Sequence, residues 1–174
     1  GKITLINQAQ VDNFATTYGT CDTTPYGLTI DGSDITQVDA LSALVTIKGD
    51  LKLYAPALAD LTGLANLETI EGALHVGSTS AGTSLVNVDA LSKVTTLGAL
   101  VVYNNDLLED LDGLSGVTRI AGDVLIGDDY YYGNPRLSQL DGLANVTSIG
   151  GDFVIGDNSA LTDLNGFIGL SSVG

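Results

Sequence analysis

Along most of this chain the apolar residues fall three apart. Leu58, Leu61, Leu64, Leu67 and Ile70 form one such run, and Leu108, Leu111, Leu114, Val117 and Ile120 another. Others start at Ile35, Leu85 and Leu137, and a last one runs Leu161, Leu164, Phe167, Leu170, Val173. A strict period of three is neither the 3.6 of an α-helix nor the 2 of a strand. It suits a chain that turns round a flattened coil and points every third side chain inward. Each run follows an apolar-x-apolar triplet: Leu28-Thr29-Ile30, Leu51-Lys52-Leu53, Leu74-His75-Val76, Leu100-Val101-Val102, Val124-Leu125-Ile126 and Phe153-Val154-Ile155. Such a triplet is a short strand with its outer residues inward and its middle residue in solvent. The spacing therefore predicts a mainly β chain, a parallel β-solenoid of about six coils starting near residues 28, 51, 74, 100, 124 and 153. One coil cannot bury its own apolar face, but stacked coils can.

The chain divides accordingly. Residues 28–174 are the solenoid repeats, and residues 1–27 do not repeat. Ile6, Val11, Phe14 and Ala15 lie close to one helical face, so a helix over about 7–18 is expected to cap the first coil, whose bare end would expose core and unpaired strand edges. The last residues, Ser171-Ser172-Val173-Gly174, stop within the period-three pattern, and more chain is expected beyond them. Glycines just before several strands and the aspartates Asp39, Asp89, Asp112 and Asp141 fit sharp corners, the carboxylates accepting bonds from nearby backbone N–H groups.

Composition then narrows the function. Six Lys and Arg stand against 21 Asp and Glu, a formal charge of −15, which argues against nucleic acid or an anionic membrane surface as partner. No apolar run approaches the ~18 residues of a membrane span, so no membrane insertion is expected. One Cys and one His exclude a disulfide scaffold and a Cys/His zinc site.

The segment Leu108-Glu109-Asp110-Leu111-Asp112-Gly113-Leu114, continuing through Ile120 to Val124-Leu125-Ile126, resembles the repeat of the receptor L-domain family, related to leucine-rich repeats; the likeness covers residues 28–174. The stretch Asn7 to Phe14 resembles the capping helix of bacterial members. The resemblance implies a short right-handed β-helix, extracellular or cell-surface placement, and binding rather than catalysis. The receptors of that family carry several disulfides, whereas Cys21 has no partner here, which favours a bacterial secreted or surface protein.

Candidate ligand-binding residues lie on the later coils. The solvent positions of the strands run Thr29, Lys52, His75, Val101, Leu125, Val154, turning from polar to apolar. Three stacked apolar residues form either a patch for a ligand or a secondary core under an inserted loop. The insertions after the strands, Ser78 to Ser84 and Asp128 to Arg136, mark one edge of the stack. Tyr103, with Tyr130, Tyr131 and Tyr132 in the longer insertion, supplies rigid amphipathic contact area suited to a protein or glycan. Asn104, Asp106, Asp128 and Asp157 lie just past the strands; they are either corner residues or, stacked, ligands for Ca²⁺, the one metal this pattern would hold. No other cofactor is expected. Thr46, Thr69, Thr96 and Ser148 align in a column that is either an ordinary polar ladder or an ice-binding surface. The function these features predict is a non-enzymatic extracellular binding or adhesion module for a protein or glycan. The alternatives are a polysaccharide-active β-helix enzyme or an ice-binding surface.

Overall fold

The computed structural model describes residues 2–128 and 132–174; Asp129, Tyr130 and Tyr131, two of them among the predicted ligand residues, lie outside the described set. The strands belong to one 12-stranded sheet in which the pairing is parallel, consistent with a β-solenoid-like fold.

Two ladders run through the sheet. In the first, the apolar-x-apolar triplets stack in register: Leu28–Ile30 pairs with Leu51–Leu53, and that with the end of Thr69–Val76, then of Thr96–Val102, then Val124–Ile126, then Phe153–Ile155. Their inward residues Leu51, Leu53, Leu74, Val76, Leu100 and Val102 have no exposed surface. The sequence reading did not include Ile3–Leu5, which adds a strand before Leu28–Ile30. The second ladder, also unforeseen as strands, stacks Thr23–Thr24, Thr46–Ile47, the start of Thr69–Val76, the start of Thr96–Val102, Arg119–Ile120, Ser148–Ile149 and Ser172–Val173. Between the two ladders each repeat makes a short 3-10 turn, such as Asp89–Leu91, Asp112–Leu114 and Asp141–Leu143.

The period of three thus has a physical cause. Each repeat goes strand, corner, 3-10 turn, strand, corner, and one side chain in three faces the axis. Ile35, Val38, Leu41, Leu44 and Ile47 are all buried, as are the equivalent residues of the next four repeats. In the last repeat Phe167 is buried, whereas Leu164 is 51% and Val173 47% exposed.

At the other end the expected single helix is two helices, Gln8–Asp12 and Phe14–Tyr18, meeting at Asn13, whose amide side chain donates to the Ala9 carbonyl at 2.8 Å. Val11 and Phe14 are buried beneath them, whereas Ile6 is 57% exposed and Ala15 is exposed, so the apolar face is narrower than the sequence reading had it. Gln8 bonds the first helix to the segment at Thr36 and Gln37. Its side-chain oxygen accepts from the Thr36 and Gln37 N–H groups, and its amide donates to the Gln37 carbonyl. Backbone N–H groups that in later repeats donate to the preceding repeat are bonded here by one side chain.

A polar column runs through the apolar core where the first-ladder strands end. Successive repeats place Gly32, Ala55, Thr83, Asn105, Asn134 and Asn158 there. Asn105 and Asn134 are fully buried. The Asn105 amide donates to the carbonyls of Val76 (2.8 Å) and Tyr103 (2.9 Å) and to Asn134 Oδ1 (3.0 Å), while its own oxygen accepts from the Thr83 N–H and hydroxyl. Asn134 repeats the pattern on Val102 and Asn158, and Asn158 on Ile126 and Gly156. Buried polar groups are tolerated only when bonded; here the amides add a second bond to the carbonyls of Val76, Val102 and Ile126, each of which also accepts a backbone N–H, and the Asn105 amide holds the Tyr103 carbonyl as well.

Candidate functional site

The outward residues of the first ladder stack in register as Thr4, Thr29, Lys52, His75, Val101, Leu125 and Val154. They are not uniformly solvated. Thr29, expected at the surface, is only 3% exposed; Lys52, His75, Val101 and Leu125 are half-buried, and Val154 is 37% exposed. The residue after each strand forms a second row beside this one: Tyr54, Gly77 and Tyr103. Gly77 sits between two tyrosines with φ +74°, and a Cβ there would collide with the Tyr103 carbonyl oxygen. Glycine is therefore required, and its lack of a side chain opens a notch between Tyr54 and Tyr103.

The result is a groove of about 300 Å³ with a floor of His75, Val101 and Leu125, flanked by Tyr54 and Tyr103 and overhung by Ser78 and Thr79. The Tyr54 ring meets His75 edge-on, with centroids 6.0 Å apart. Tyr103 packs against Tyr132, also at 6.0 Å, and the Tyr132 carbonyl accepts from the Asn104 N–H. The shorter insertion closes on itself, the Ser78 hydroxyl accepting from the Ala81 N–H at 3.1 Å, and Asn104 anchors it by donating to the Ser78 carbonyl at 2.7 Å. Of the residues singled out from the sequence, Tyr103, Val101 and Leu125 line the groove. Tyr132 supports it from behind, and Val154 lies one strand further along the ladder. Tyr54, just past its strand as Tyr103 is, and the outward His75 line the groove too; their edge contact follows only once Leu53 and Val76 are placed in register.

The groove is electrically quiet. Burial pushes the His75 pKa below its usual value, Lys52 pushes it the same way, and Asp50 only partly opposes them. His75 is thus neutral at pH 7. Burial raises the Tyr54 and Tyr103 hydroxyls, the charge of Asp128 adding to the effect at Tyr103, so both remain O–H donors. The cation at the edge of the groove is already matched: Lys52 Nζ lies 3.0 Å from Asp50 Oδ2. Burial pushes the Asp50 carboxyl up, but the Ala73 N–H and Lys52 outweigh it and hold the group below its usual range.

Two of the four residues read as corner residues or calcium ligands have a corner backbone. Asn104 and Asp157 take φ of 60° and 54°, the left-handed region where Asn and Asp are enriched. Asp106 and Asp157 are exposed, and Asp128 Oδ1 accepts from the Tyr132 N–H at 3.2 Å. Among the described residues no three His, Cys, Asp or Glu side chains gather as a metal-ligand group. Nor is any helix there long and apolar enough to cross a membrane.

Other concavities of similar size exist. One of about 380 Å³ follows the 3-10 turns, but its Asp60 and Asn87 are engaged in accepting the Thr62 and Asp89 N–H groups. Another, about 370 Å³, lies by Ile3, Tyr18, Cys21 and Tyr26 at the helical end. On the second ladder Thr23, Thr46, Thr69 and Thr96 stand in register, followed by Arg119, Ser148 and Ser172. A scan against models of known protein families found no match, and neither a search of curated proteins nor one of solved structures did.

Proposed function

We propose that this chain is a non-enzymatic extracellular binding or adhesion module that takes its ligand on the outer face of the first ladder. The observation that carries this reading is the groove over His75, Val101 and Leu125 between Tyr54 and Tyr103. An apolar floor with convergent hydroxyl groups and rigid aromatic walls is the ordinary make-up of a small recognition site. The likeness of the repeat to receptor L domains supports binding over catalysis and a place at a bacterial surface or outside the cell. The test is an array of immobilised glycans and surface proteins, probed with the native chain and with Val101→Asp. Specific capture of the native chain that falls at least tenfold in the variant, with the fold retained by circular dichroism, is expected. Capture unchanged by the substitution would contradict the reading.

A second reading rests on the second ladder. Adjacent strands lie about 4.8 Å apart, so Thr23, Thr46, Thr69 and Thr96 form a regular hydroxyl row until Arg119. Such a row favours an ice-binding surface. Thermal hysteresis lost in Thr69→Tyr would support it, and no hysteresis in the native chain would remove it.

A further inference from the structure

We infer that the occupant of the groove is a neutral saccharide segment, stacked on Tyr54 and Tyr103 above Val101 and Leu125. This rests on the binding reading above and narrows it to one chemical class. Charge is the first argument. The chain carries −15, and a polyanion approaching it is repelled over the whole surface. Within the groove the described lining residues carry no ionised side chain at neutral pH: the two tyrosines stay protonated and His75 stays neutral. Lys52, which could meet an acidic group, is bound to Asp50. An uncharged ligand is therefore the one that loses no solvation of a charge on entering.

Size is the second. The volume of about 300 Å³ stands at the small-ligand end of known sites. A stable protein partner needs roughly 800 Å² of contact on each side, more than a notch between two tyrosines supplies.

The third is the pairing of apolar and polar groups. A pyranose ring has a face of C–H bonds and an edge of hydroxyls. Val101, Leu125 and the tyrosine rings match the face. Tyr54, Tyr103, His75 and Thr79 are the lining residues whose hydroxyl and imidazole groups suit the edge. The site is also preorganised, which lowers the ordering cost of binding. Gly77 holds the notch open by a backbone contact, and Asn105 bonds the Tyr103 carbonyl from inside the core.

Calorimetric titration tests this with cellohexaose, laminarihexaose and hexa-N-acetylchitohexaose as neutral probes and polygalacturonate as the acidic one. At least one neutral hexasaccharide is expected to bind. Tyr103→Ala and Leu125→Thr should each weaken it at least tenfold without lowering the melting temperature, and Thr69→Ala on the other ladder should leave it unchanged. Binding of polygalacturonate alone, or of none of the four, overturns the saccharide assignment. If a protein from the array is then lost with Leu125→Thr, the groove remains the binding site and only the ligand class is wrong. A neutral saccharide that binds the groove variants as tightly as the native chain overturns both.

Discussion

Asn134 has no exposed surface, yet its amide and carbonyl reach Val102, Asn158 and Asn105. Its side chain is the middle rung of the column that fixes the corners after the first-ladder strands. Asn134→Ala strips partners from several buried groups at once, each worth roughly 1–3 kcal/mol when left unbonded. We expect a loss of about 2–4 kcal/mol in urea melts, against almost none for the exposed Asp106→Ala. His75 makes a pH prediction. Its folded pKa lies below 6.5, so the unfolded chain binds a proton that the folded chain refuses. Stability then falls as pH drops through 6.5, and the loss is complete below the folded value. His75→Gln should flatten that part of the stability profile in thermal melts. Asp50 acts in a separate window: its folded pKa is below 3.8, so its contribution is present above 3.8 and is lost beneath it. The Asn column itself was not legible in the sequence. Asn104 and Asn105 are neighbours of the same type, and only the register of the repeats shows that one turns out and the other in.

At the scale of the element, the 3-10 turns are capped from two residues upstream. Asp60, Asn87, Asp110 and Asp163 accept the N–H of Thr62, Asp89, Asp112 and Asn165. Asp39, Asp89, Asp112 and Asp141, expected to accept backbone N–H groups at these turns, open the turns instead; Asp112 does accept the Gly142 N–H, and the charges of Asp89 and Asp141 in the neighbouring repeats act on it. Burial, and then the charges of Asp110, Asp141 and Asp89, raise the Asp112 pKa, so its ionised form is disfavoured in the fold and costs stability at neutral pH. Asp112→Asn keeps an acceptor for the Gly142 N–H and removes the repulsion. It should raise the melting temperature at low salt, and the gain should shrink near 1 M salt, where the Debye length is about 3 Å. An unchanged melting temperature at low salt would show that the neighbouring carboxylates do not repel. The strands of the second ladder escaped the sequence for a different reason. Two residues with one side chain inward, as in Thr46–Ile47, are too short to show an alternation.

For the molecule as a whole, the period of three was enough to place the core, because the residues it marks are buried through five repeats. Leu111 is one of them, and Leu111→Ala should cost about 2–5 kcal/mol through lost transfer energy and the cavity left behind. A cost under about 1 kcal/mol in denaturant melts would mean that the axis is packed differently. The candidate site was legible only in part. Tyr103, Val101 and Leu125 stood out as aromatic and apolar residues at outward positions, but the notch depends on Gly77 falling between two tyrosines. That follows from stacking rather than from any one repeat. If this stacking builds a binding face, nuclear magnetic resonance mapping will locate it on the first ladder. The amide signals of the isotope-labelled chain are followed while the neutral hexasaccharides are added. Shifts centred on His75, Gly77, Val101, Tyr103 and Leu125 are expected. Shifts centred on Thr46, Thr69 and Thr96 of the second ladder, or none along the first, would contradict it.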